Sequence, residues 1–312
     1  MPDFGAYQNE IYIAGLSGRL PRFPMRFDDL EAKAHAAMPQ SLVSYVAGGC
    51  GDEQTQEANV AAFDKWGLIP RMFVGAKRRD LSVELFGMKL PSPLFMTPNG
   101  VIGLCAQDGH GDLATARAAA LTGVPMVAST LSVDPLEAVA AEFKGTPGFF
   151  QLYTPTDREL AASLVRRAEQ AAFKAIVVTL DTWVTGWRPR DLATANFPQL
   201  RGHCLANYFT DPRFAQLLGG PPEKDSRAAV TLWAAIFGNP LTWDDLPAAL
   251  ADQTAADRQG YMPSRRRPAR HRRRRRWNLL LQSRRPAGER RRSGARHAAR
   301  GGEGRRRDTG PV

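Results

Sequence analysis

The sequence contains few cysteines, and none is spaced for pairing or for binding a metal. Cys50, Cys105 and Cys204 are the three among 312 residues, and no two of them form a CxxC pair. An odd, scattered set argues against a disulfide framework and is typical of a reducing compartment. We therefore expect a cytoplasmic protein without structural disulfides and without a metal centre.

Long apolar runs are also missing. The first residues, MPDFGAYQNEIYIAG, have neither the basic start nor the apolar centre of a secretory signal. No stretch of the chain approaches the roughly 20 apolar residues that a membrane-spanning helix needs. The sequence therefore predicts no membrane anchor.

Lysine is absent from the end of the chain, although arginine is abundant there. Residues 257–312 hold 20 arginines and four acidic residues, whereas residues 1–256 hold 22 basic and 27 acidic residues. The net charge of +11 therefore comes from the tail, and the remainder shows no patch for a polyanion. Two interpretations of the tail stay open: an arm that binds nucleic acid, or a segment left disordered by its charge and low hydrophobicity.

Short apolar runs recur after residue 90. They are PLFMTP (93–98), VPMVAS (124–129), GFFQLY (148–153) and AIVVTLD (175–181). Runs of this length are typical of strands that are buried on both faces of a parallel sheet. Amphipathic helical stretches lie between them, and Asp157 is well placed to cap the last. The alternation predicts four consecutive βα units.

Polar residues stand where the predicted strands end. A (β/α)8 barrel builds its active site from the carboxyl ends of all its strands. An open doubly wound sheet instead concentrates its ligand groups behind a GxGxxG turn, which this chain lacks. The pattern therefore favours an α/β fold in which only the first four units of a (β/α)8 barrel are present.

We divide the chain into three parts. A helical lead-in (1–75) precedes the half barrel (76–254), and a disordered, arginine-rich tail (255–312) follows it. An insert at about 189–239 comes after the fourth strand. Loops of that length are either functional lids or disordered, and its aromatic content predicts an ordered lid.

Six motifs follow one another along the chain. They are SYVAGGCGDEQT (44–55), LIPRMF (68–73), VIGLCAQDGHGD (101–112), FFQLYTPTDREL (149–160), TLDTWVTGWRPRDL (179–192) and NPLTWDDL (239–246). Together they resemble the FMN-dependent α-hydroxy-acid oxidising family, which includes glycolate oxidase, lactate oxidase and flavocytochrome b2. GWRPRDL with CAQDGHGD is most similar to the lactate 2-monooxygenase branch.

The resemblance implies a (β/α)8 barrel with FMN at its carboxyl-terminal mouth. It implies a turn packed near the flavin ring, hydrogen bonds to the ring edge, residues that face the substrate, and an aspartate that stabilises a protonated catalytic histidine. The family usually has alanine where Thr97 stands. The turn near the ring is Thr97, Pro98, Asn99 and Gly100, and the residues that bond the ring edge are Ser129, Gln151 and Thr179. The residues that face the substrate are Tyr45, Tyr153 and Arg188, and the aspartate is Asp181.

The implied chemistry suits these residue types. A guanidinium such as that of Arg188 grips a carboxylate through two parallel hydrogen bonds. The flavin accepts a hydride, while a base takes the hydroxyl proton. The resemblance implies oxidation of an (S)-2-hydroxy acid, with lactate and O2 giving acetate, CO2 and water. The alternative is an oxidase or dehydrogenase that releases the 2-keto acid. The resemblance also implies a homotetramer, since family members are commonly tetrameric.

Two expected family motifs are missing from the end of the chain. The fifth-strand motif LPxxxKGIxHPDDA and the base-histidine motif YCSNHGGRQ do not occur. One possible coding of QGYMPSRRRPARH, read one nucleotide later, gives KGICHPDDARRA, and RRRRRWNLLLQSRR can likewise become DAGVDGIYCSNHGG. We therefore predict that residues from about 255 onward are an out-of-frame reading of the family's C-terminal half, and that this chain is truncated and inactive.

Overall fold

A parallel β-sheet forms the centre of the fold, with helices packed on it. The structure is a computed structural model, and it describes residues 6–75, 80–238, 240, 242, 258–260 and 277–282. Its strands are β1 (Val83–Leu85), β2 (Met88–Leu90), β3 (Met126–Ala128), β4 (Gly148–Leu152), β5 (Ala175–Thr179), β6 (Arg258–Gly260) and β7 (Trp277–Gln282).

Five of these strands form one sheet in the order β3-β4-β5-β7-β6, and all of its pairs are parallel. The apolar runs that predict the second, third and fourth strands give β3, β4 and β5, which confirms them. The first run gives only an isolated bridge between Met96 and Met126. Pro93 and Pro98 explain its brevity, because proline cannot donate a hydrogen bond to a strand ladder.

Helices follow the sheet strands in alternation. Asp157 caps α8 as predicted, since its carboxylate accepts a hydrogen bond from Leu160 N at 2.7 Å. The helices are α1 (Ala6–Leu16), α2 (Phe27–Ala37), α3 (Gln40–Ala47), α4 (Gln54–Ala61), α5 (Ile102–Cys105), α6 (Gly111–Thr122), α7 (Leu136–Ala141), α8 (Arg158–Gln170), α9 (Pro189–Thr194), α10 (Ala206–Phe209), α11 (Pro212–Leu218) and α12 (Ser226–Ile236).

The two faces of the sheet bury different sets of side chains. Phe150 and Ile176 belong to the larger cluster, with α6, α7 and α8. Phe149 and Val177 point to the opposite face, where Phe95 and the hairpin of β1 and β2 cover them. This alternation follows from the two-residue period of a strand. Helices therefore cover one face, and the hairpin covers part of the other.

The insert after β5 is helical in the structure. It contains α9 to α12, together with short 3-10 helices at Pro198–Arg201 and Pro222–Lys224. Tyr208, Phe214 and Trp233 are fully buried in it and belong to the larger core cluster. The aromatic side chains therefore pack the insert onto the helical face of the sheet.

The structure describes two short segments of the tail, which we expected to be disordered over 255–312. Arg258–Gly260 and Trp277–Gln282 are strands. β7 pairs along the whole of β5, where an open edge would expose unpaired backbone groups. An apolar run such as WNLLLQ suits that position. The remainder of the tail lies outside the described residues.

No helix in the described ranges has the length and apolar character needed to cross a bilayer. All three cysteines are free thiols.

Candidate functional site

Ser129, Gln151 and Thr179 meet at the carboxyl ends of three neighbouring strands. Ser129 Oγ donates a hydrogen bond to Gln151 Oε1 at 3.3 Å, and Gln151 Nε2 donates to Thr179 Oγ1 at 2.9 Å. The parallel register of β3, β4 and β5 places these residues side by side. We call the three residues the strand-end row. The structure thus brings together three residues that the sequence analysis assigned to one ring edge.

Thr130 holds Gln151 of the strand-end row in place through hydrogen bonds, although the sequence analysis did not assign it a role in the site. Its backbone N donates to Gln151 Oε1 at 3.2 Å, and its hydroxyl donates to the Gln151 carbonyl. The same hydroxyl accepts a hydrogen bond from Tyr153 N at 3.0 Å. Thr130 is fully buried, so the end of β4 has little freedom to move.

Asn207 of α10 is a second residue that the sequence analysis missed. Its Nδ2 donates to Ser129 O at 3.2 Å and to Thr130 O at 3.0 Å. No local spacing signals this contact, because the partners are 78 and 77 residues apart in the chain. The insert is therefore bonded directly to the backbone of Ser129 and Thr130, next to the strand-end row.

The predicted turn after the first strand lies at the same end of the sheet. Met96 pairs with Met126 of β3, so the residues that follow Met96 lie beside the end of β3. Asn99 Nδ2 donates to Thr97 O at 3.3 Å and folds the turn on itself. Thr97 and Asn99 are exposed, while Pro98 and Gly100 are half-buried. The turn therefore presents polar groups to solvent next to the strand-end row.

Tyr45 and Arg188, two of the residues that the resemblance places at the substrate, are in contact with each other. The Arg188 guanidinium lies 4.8 Å from the centre of the Tyr45 ring. Its Nη2 donates to the carbonyls of Tyr45 and Gly48, and its Nε lies 3.0 Å from Asp191 Oδ2. A bidentate grip on a carboxylate needs two parallel N–H donors. In the structure, Nε and Nη2 of Arg188 are occupied by these contacts. Arg188 can therefore bind a substrate carboxylate through Nη1 and Nη2 only if Nη2 leaves the carbonyls of Tyr45 and Gly48.

The Tyr45 hydroxyl faces the insert. It lies 3.4 Å from Gln199 Oε1 and 3.3 Å from Gln199 Nε2, and burial raises its pKa above the ordinary value. Burial likewise raises the pKa of Asp191, while Arg188 opposes that shift. The pair is therefore part of a packed contact between α3 and the insert.

Tyr153 and Asp181 follow β4 and β5. The Tyr153 ring packs on Phe237 with centroids 5.2 Å apart, and Thr182 Oγ1 donates to Asp181 Oδ1 at 3.0 Å. His110 stands at the N-cap of α6, with its Nδ1 2.7 Å from Asp134 Oδ1. His110 is therefore a helix-entry residue. The base-histidine motif of the family does not occur in the sequence, and most of the tail lies outside the described residues.

The strand-end row has the donor set that a flavin ring edge requires. The edge of an isoalloxazine alternates acceptor atoms with an N–H donor, and hydroxyl and amide side chains can both donate and accept. Ser129, Gln151 and Thr179 supply two hydroxyls and one amide in a continuous line. These residues fit the ring edge of FMN. Within the described residues, no group of His, Cys, Asp and Glu side chains is arranged to hold a metal ion.

Comparison with known proteins gives consistent matches. A family profile described as FMN-dependent dehydrogenase matches residues 34–256. The chain is 37% identical over 249 residues to an FMN-dependent alpha-hydroxy acid dehydrogenase of Penicillium citrinum, with 78% of this chain and 61% of the relative covered. It is 34% identical over 235 residues to an L-lactate oxidase of Lysinibacillus sphaericus, with coverages of 75% and 60%. The chain spans about three-fifths of the length of these relatives.

Solved structures resemble the fold as well. A lactate oxidase of Pediococcus acidilactici, described as putative, matches with a TM-score of 0.57 and 31% identity, over 66% of this chain and 57% of that one. A mutant of an active chimera of (S)-mandelate dehydrogenase matches with a TM-score of 0.62 and 27% identity, over 75% and 64%. The sequence relatives and the similar structures therefore share names as hydroxy-acid dehydrogenases or oxidases.

Proposed function

The chain belongs to the FMN-dependent dehydrogenase family, and from this membership we propose that its site is built for FMN-dependent oxidation of an (S)-2-hydroxy acid, with lactate as the substrate. The proposal depends on the strand-end row, because its hydroxyl and amide groups match the edge of the flavin ring. O2 as the electron acceptor, a homotetramer and a cytoplasmic location belong to the same proposal.

Each residue of the row has a defined task in the proposal. FMN, when bound, supplies the hydride acceptor for the substrate α-carbon. Ser129, Gln151 and Thr179 hold the ring edge, and the turn from Thr97 to Gly100 packs beside the ring. Thr130 keeps the Gln151 side chain in one orientation through Oε1. A fixed orientation avoids an entropic cost when the ring binds.

The substrate side of the site needs one rearrangement. Arg188 orients the substrate through its carboxylate, with Tyr45 and Tyr153 facing the same molecule. Nη2 of Arg188 must then leave the carbonyls of Tyr45 and Gly48, to which it donates. Asp181 stabilises the protonated base. Substrate binding therefore competes with the contact between α3 and the insert.

Within this reaction class we propose the 2-monooxygenase outcome, in which lactate and O2 become acetate, CO2 and water. The combination of GWRPRDL and CAQDGHGD supports it. The alternative is release of the 2-keto acid, and the relatives named L-lactate oxidase and alpha-hydroxy acid dehydrogenase favour that alternative.

We also propose that residues from about 255 onward are the family's C-terminal half read out of frame. The family match ends at residue 256, where the arginine-rich composition without lysine begins. Under this proposal the residues up to about 254 are the first half of a (β/α)8 barrel, and the chain binds FMN weakly at most and does not turn over lactate. The loss of a general base alone costs about 10² to 10⁴ in rate.

The nucleotide sequence across codons 250–262 tests the frame proposal directly. A single frame change that restores KGIxHP supports it, and an arginine block in its natural frame contradicts it. Purified chain that is yellow and oxidises lactate also contradicts it. Salt-sensitive binding of nucleic acid that disappears on deletion of 255–312 would instead favour a basic arm.

A gene with the frame restored tests the reaction. Its product should bind FMN and convert lactate with acetate as the product, whereas pyruvate would favour the alternative. Gln151→Met in that protein should weaken FMN binding about tenfold, since it removes the ring-edge amide. Gln216→Met is the control, because Gln216 is exposed and bonds to Arg213 in the insert. Absence of bound flavin in the restored protein would contradict the proposal.

A further inference from the structure

Asn207 belongs to the insert, yet its side chain is bonded to the end of β3. Its Nδ2 donates to Ser129 O at 3.2 Å and Thr130 O at 3.0 Å, and its Oδ1 accepts from Leu136 N at 2.7 Å. The residue is completely buried. Leu136 is the first residue of α7, where a backbone N–H has no partner within the helix. One amide therefore satisfies three buried backbone groups from two elements.

Arg167 of α8 fixes the backbone of Asn207. Its Nη1 donates to Asn207 O at 2.7 Å and lies 3.2 Å from Asp211 Oδ2. Its Nε and Nη2 form a two-point contact with Glu137, at 2.7 and 3.0 Å. The Arg167 side chain is 11% exposed, and that of Asp211 is 0% exposed. Charge-assisted bonds in such surroundings are short and directional, so α10 is held firmly on α7 and α8.

The backbone that Asn207 holds is the backbone that orients Gln151. Ser129 Oγ and Thr130 N both donate to Gln151 Oε1, at 3.3 and 3.2 Å. With Oε1 held, Nε2 is directed to Thr179 Oγ1 at 2.9 Å. A shift of residues 129 and 130 would free the amide to turn over.

We propose that Asn207 is a positioning residue for the strand-end row, with Arg167 as its anchor. The inference rests on the proposed function, since it assigns to the insert the task of setting the groups that meet the flavin ring. The insert then acts through the backbone of Ser129 and Thr130, the two residues that directly follow β3.

Asn207→Asp separates positioning from general packing. Aspartate keeps the acceptor for Leu136 N, loses the two donors, and places a carboxylate against two carbonyl oxygens. Asn196→Asp is the matched control, because Asn196 lies in the same insert and its Nδ2 donates to a backbone carbonyl, Ser41 O, at 3.0 Å. That bond reaches α3, not β3.

Hydrogen exchange of the full chain without flavin, followed by NMR, gives the deciding readout. The backbone amide of Thr130 donates to Gln151 of the row, and that of Tyr153 donates to the Thr130 hydroxyl, so both report on the backbone that supports the row. In Asn207→Asp they should exchange about tenfold faster or more, while in Asn196→Asp they should exchange as in the wild type. Unchanged exchange at these two amides, with only a lower overall stability, would overturn the inference.

Arg167→Lys keeps the inference testable if Asn207→Asp does not fold. Lysine keeps the charge but lacks the planar fork that bonds Glu137 and Asn207 together. The same two amides, Thr130 and Tyr153, should then exchange faster, by less than in Asn207→Asp. Exchange identical to the wild type would contradict the anchoring role.

Titration of the frame-restored protein and its variants with FMN, followed by flavin fluorescence, distinguishes failure of this inference from failure of the proposed function. Weaker binding by Asn207→Asp than by Asn196→Asp, together with faster exchange, supports both. Faster exchange in a set of frame-restored proteins that all fail to bind FMN supports positioning and contradicts the proposed function. Equal FMN affinity of Asn207→Asp and wild type, despite faster exchange, contradicts positioning toward the flavin.

Discussion

Among single residues, Arg188 holds the start of the insert against α3. Its guanidinium bonds the carbonyls of Tyr45 and Gly48, faces the Tyr45 ring, and pairs with the buried carboxyl of Asp191. Loss of the guanidinium removes the donor to the two carbonyls and, at the same time, the cation beside Asp191. Arg190 in the same motif pairs with Glu53 through a guanidinium that is about half exposed, so we expect its loss to cost less stability than the loss of Arg188.

We predict that Arg188→Met lowers the free energy of unfolding by about 1–3 kcal/mol, the cost of unsatisfied buried acceptors. Arg190→Met is the control, and it should change stability little, because exposed ion pairs contribute little. Urea denaturation followed by circular dichroism measures both. Equal losses in the two variants would contradict the prediction.

Asp112, in the first turn of α6, makes stability depend on pH. Burial raises its pKa from 3.8 to about 6, and neighbouring Asp134 adds to that rise. A carboxyl whose pKa is raised by folding binds its proton more tightly in the folded state. Its stabilising contribution is therefore fully present below the unfolded value and is lost as pH rises through the folded value.

We predict that Asp112→Asn flattens the pH dependence of the unfolding free energy between pH 4 and pH 7. Asparagine is neutral throughout and still offers an oxygen to Val133 N, which bonds Asp112 at 3.3 Å. Relative to the wild type, the variant should gain about 1–3 kcal/mol between the two ends of this range. Urea titrations at pH 4, 5.5 and 7 measure the slope, and parallel curves for the two proteins would contradict the assignment.

The residues of the site differ in how far the sequence reveals them. Ser129, Gln151 and Thr179 each lie in the last three residues of an apolar run, so a parallel sheet brings them to one edge. Asn207 has no such local signal, because its role arises only when the insert packs on α8. The contacts of Arg188 are equally hidden, since a motif names a residue type and not the partners of its donors.

Among the elements, strands with continuous apolar runs were predictable and the hairpin of β1 and β2 was not. β3, β4 and β5 are buried on both faces, and burial leaves a clear trace in composition. The hairpin is only three residues per strand and turns at Phe86 and Gly87, both with positive φ. Glycine adopts positive φ readily, but phenylalanine rarely does, so the sequence at Phe86 does not indicate a turn.

The edge of β5 leads to a prediction about β7. Val177 of β5 is paired with Leu280 of β7 in a parallel register. Leu280→Pro removes a backbone donor and breaks the ladder, so the β5 amides should exchange faster with solvent. Mass spectrometry of the peptide that covers 175–179 measures this. A chain that ends after Gln282 keeps β7 and is the control, and equal protection in all three proteins would contradict the pairing.

At the scale of the whole molecule, the lead-in leaves much apolar surface uncovered. Trp66, Leu68, Ile69 and Phe73 are each more than four-fifths exposed, and α1, α2 and α4 contain no fully buried residue. Exposed apolar side chains in this number promote association. In a complete barrel, further units supply more surface for packing, which agrees with the half-barrel proposal.

We predict that the purified chain self-associates at neutral pH, and that Leu68→Ser with Ile69→Ser reduces this association, because the pair removes the most exposed aliphatic side chains of the lead-in. Leu121→Ser is the control, since Leu121 is 87% exposed but lies on α6. Sedimentation velocity at several concentrations measures the distribution of species. A wild-type chain that is monomeric throughout would contradict the prediction.

The order of the last strands has a consequence for how the chain emerges from the ribosome. β5 ends at Thr179, and the strand that covers its edge begins only at Trp277. At a synthesis rate of about 5–20 residues per second, that edge waits for roughly 5 to 20 s. During this interval the nascent chain offers an uncovered strand to chaperones, and to neighbouring nascent chains on the same messenger.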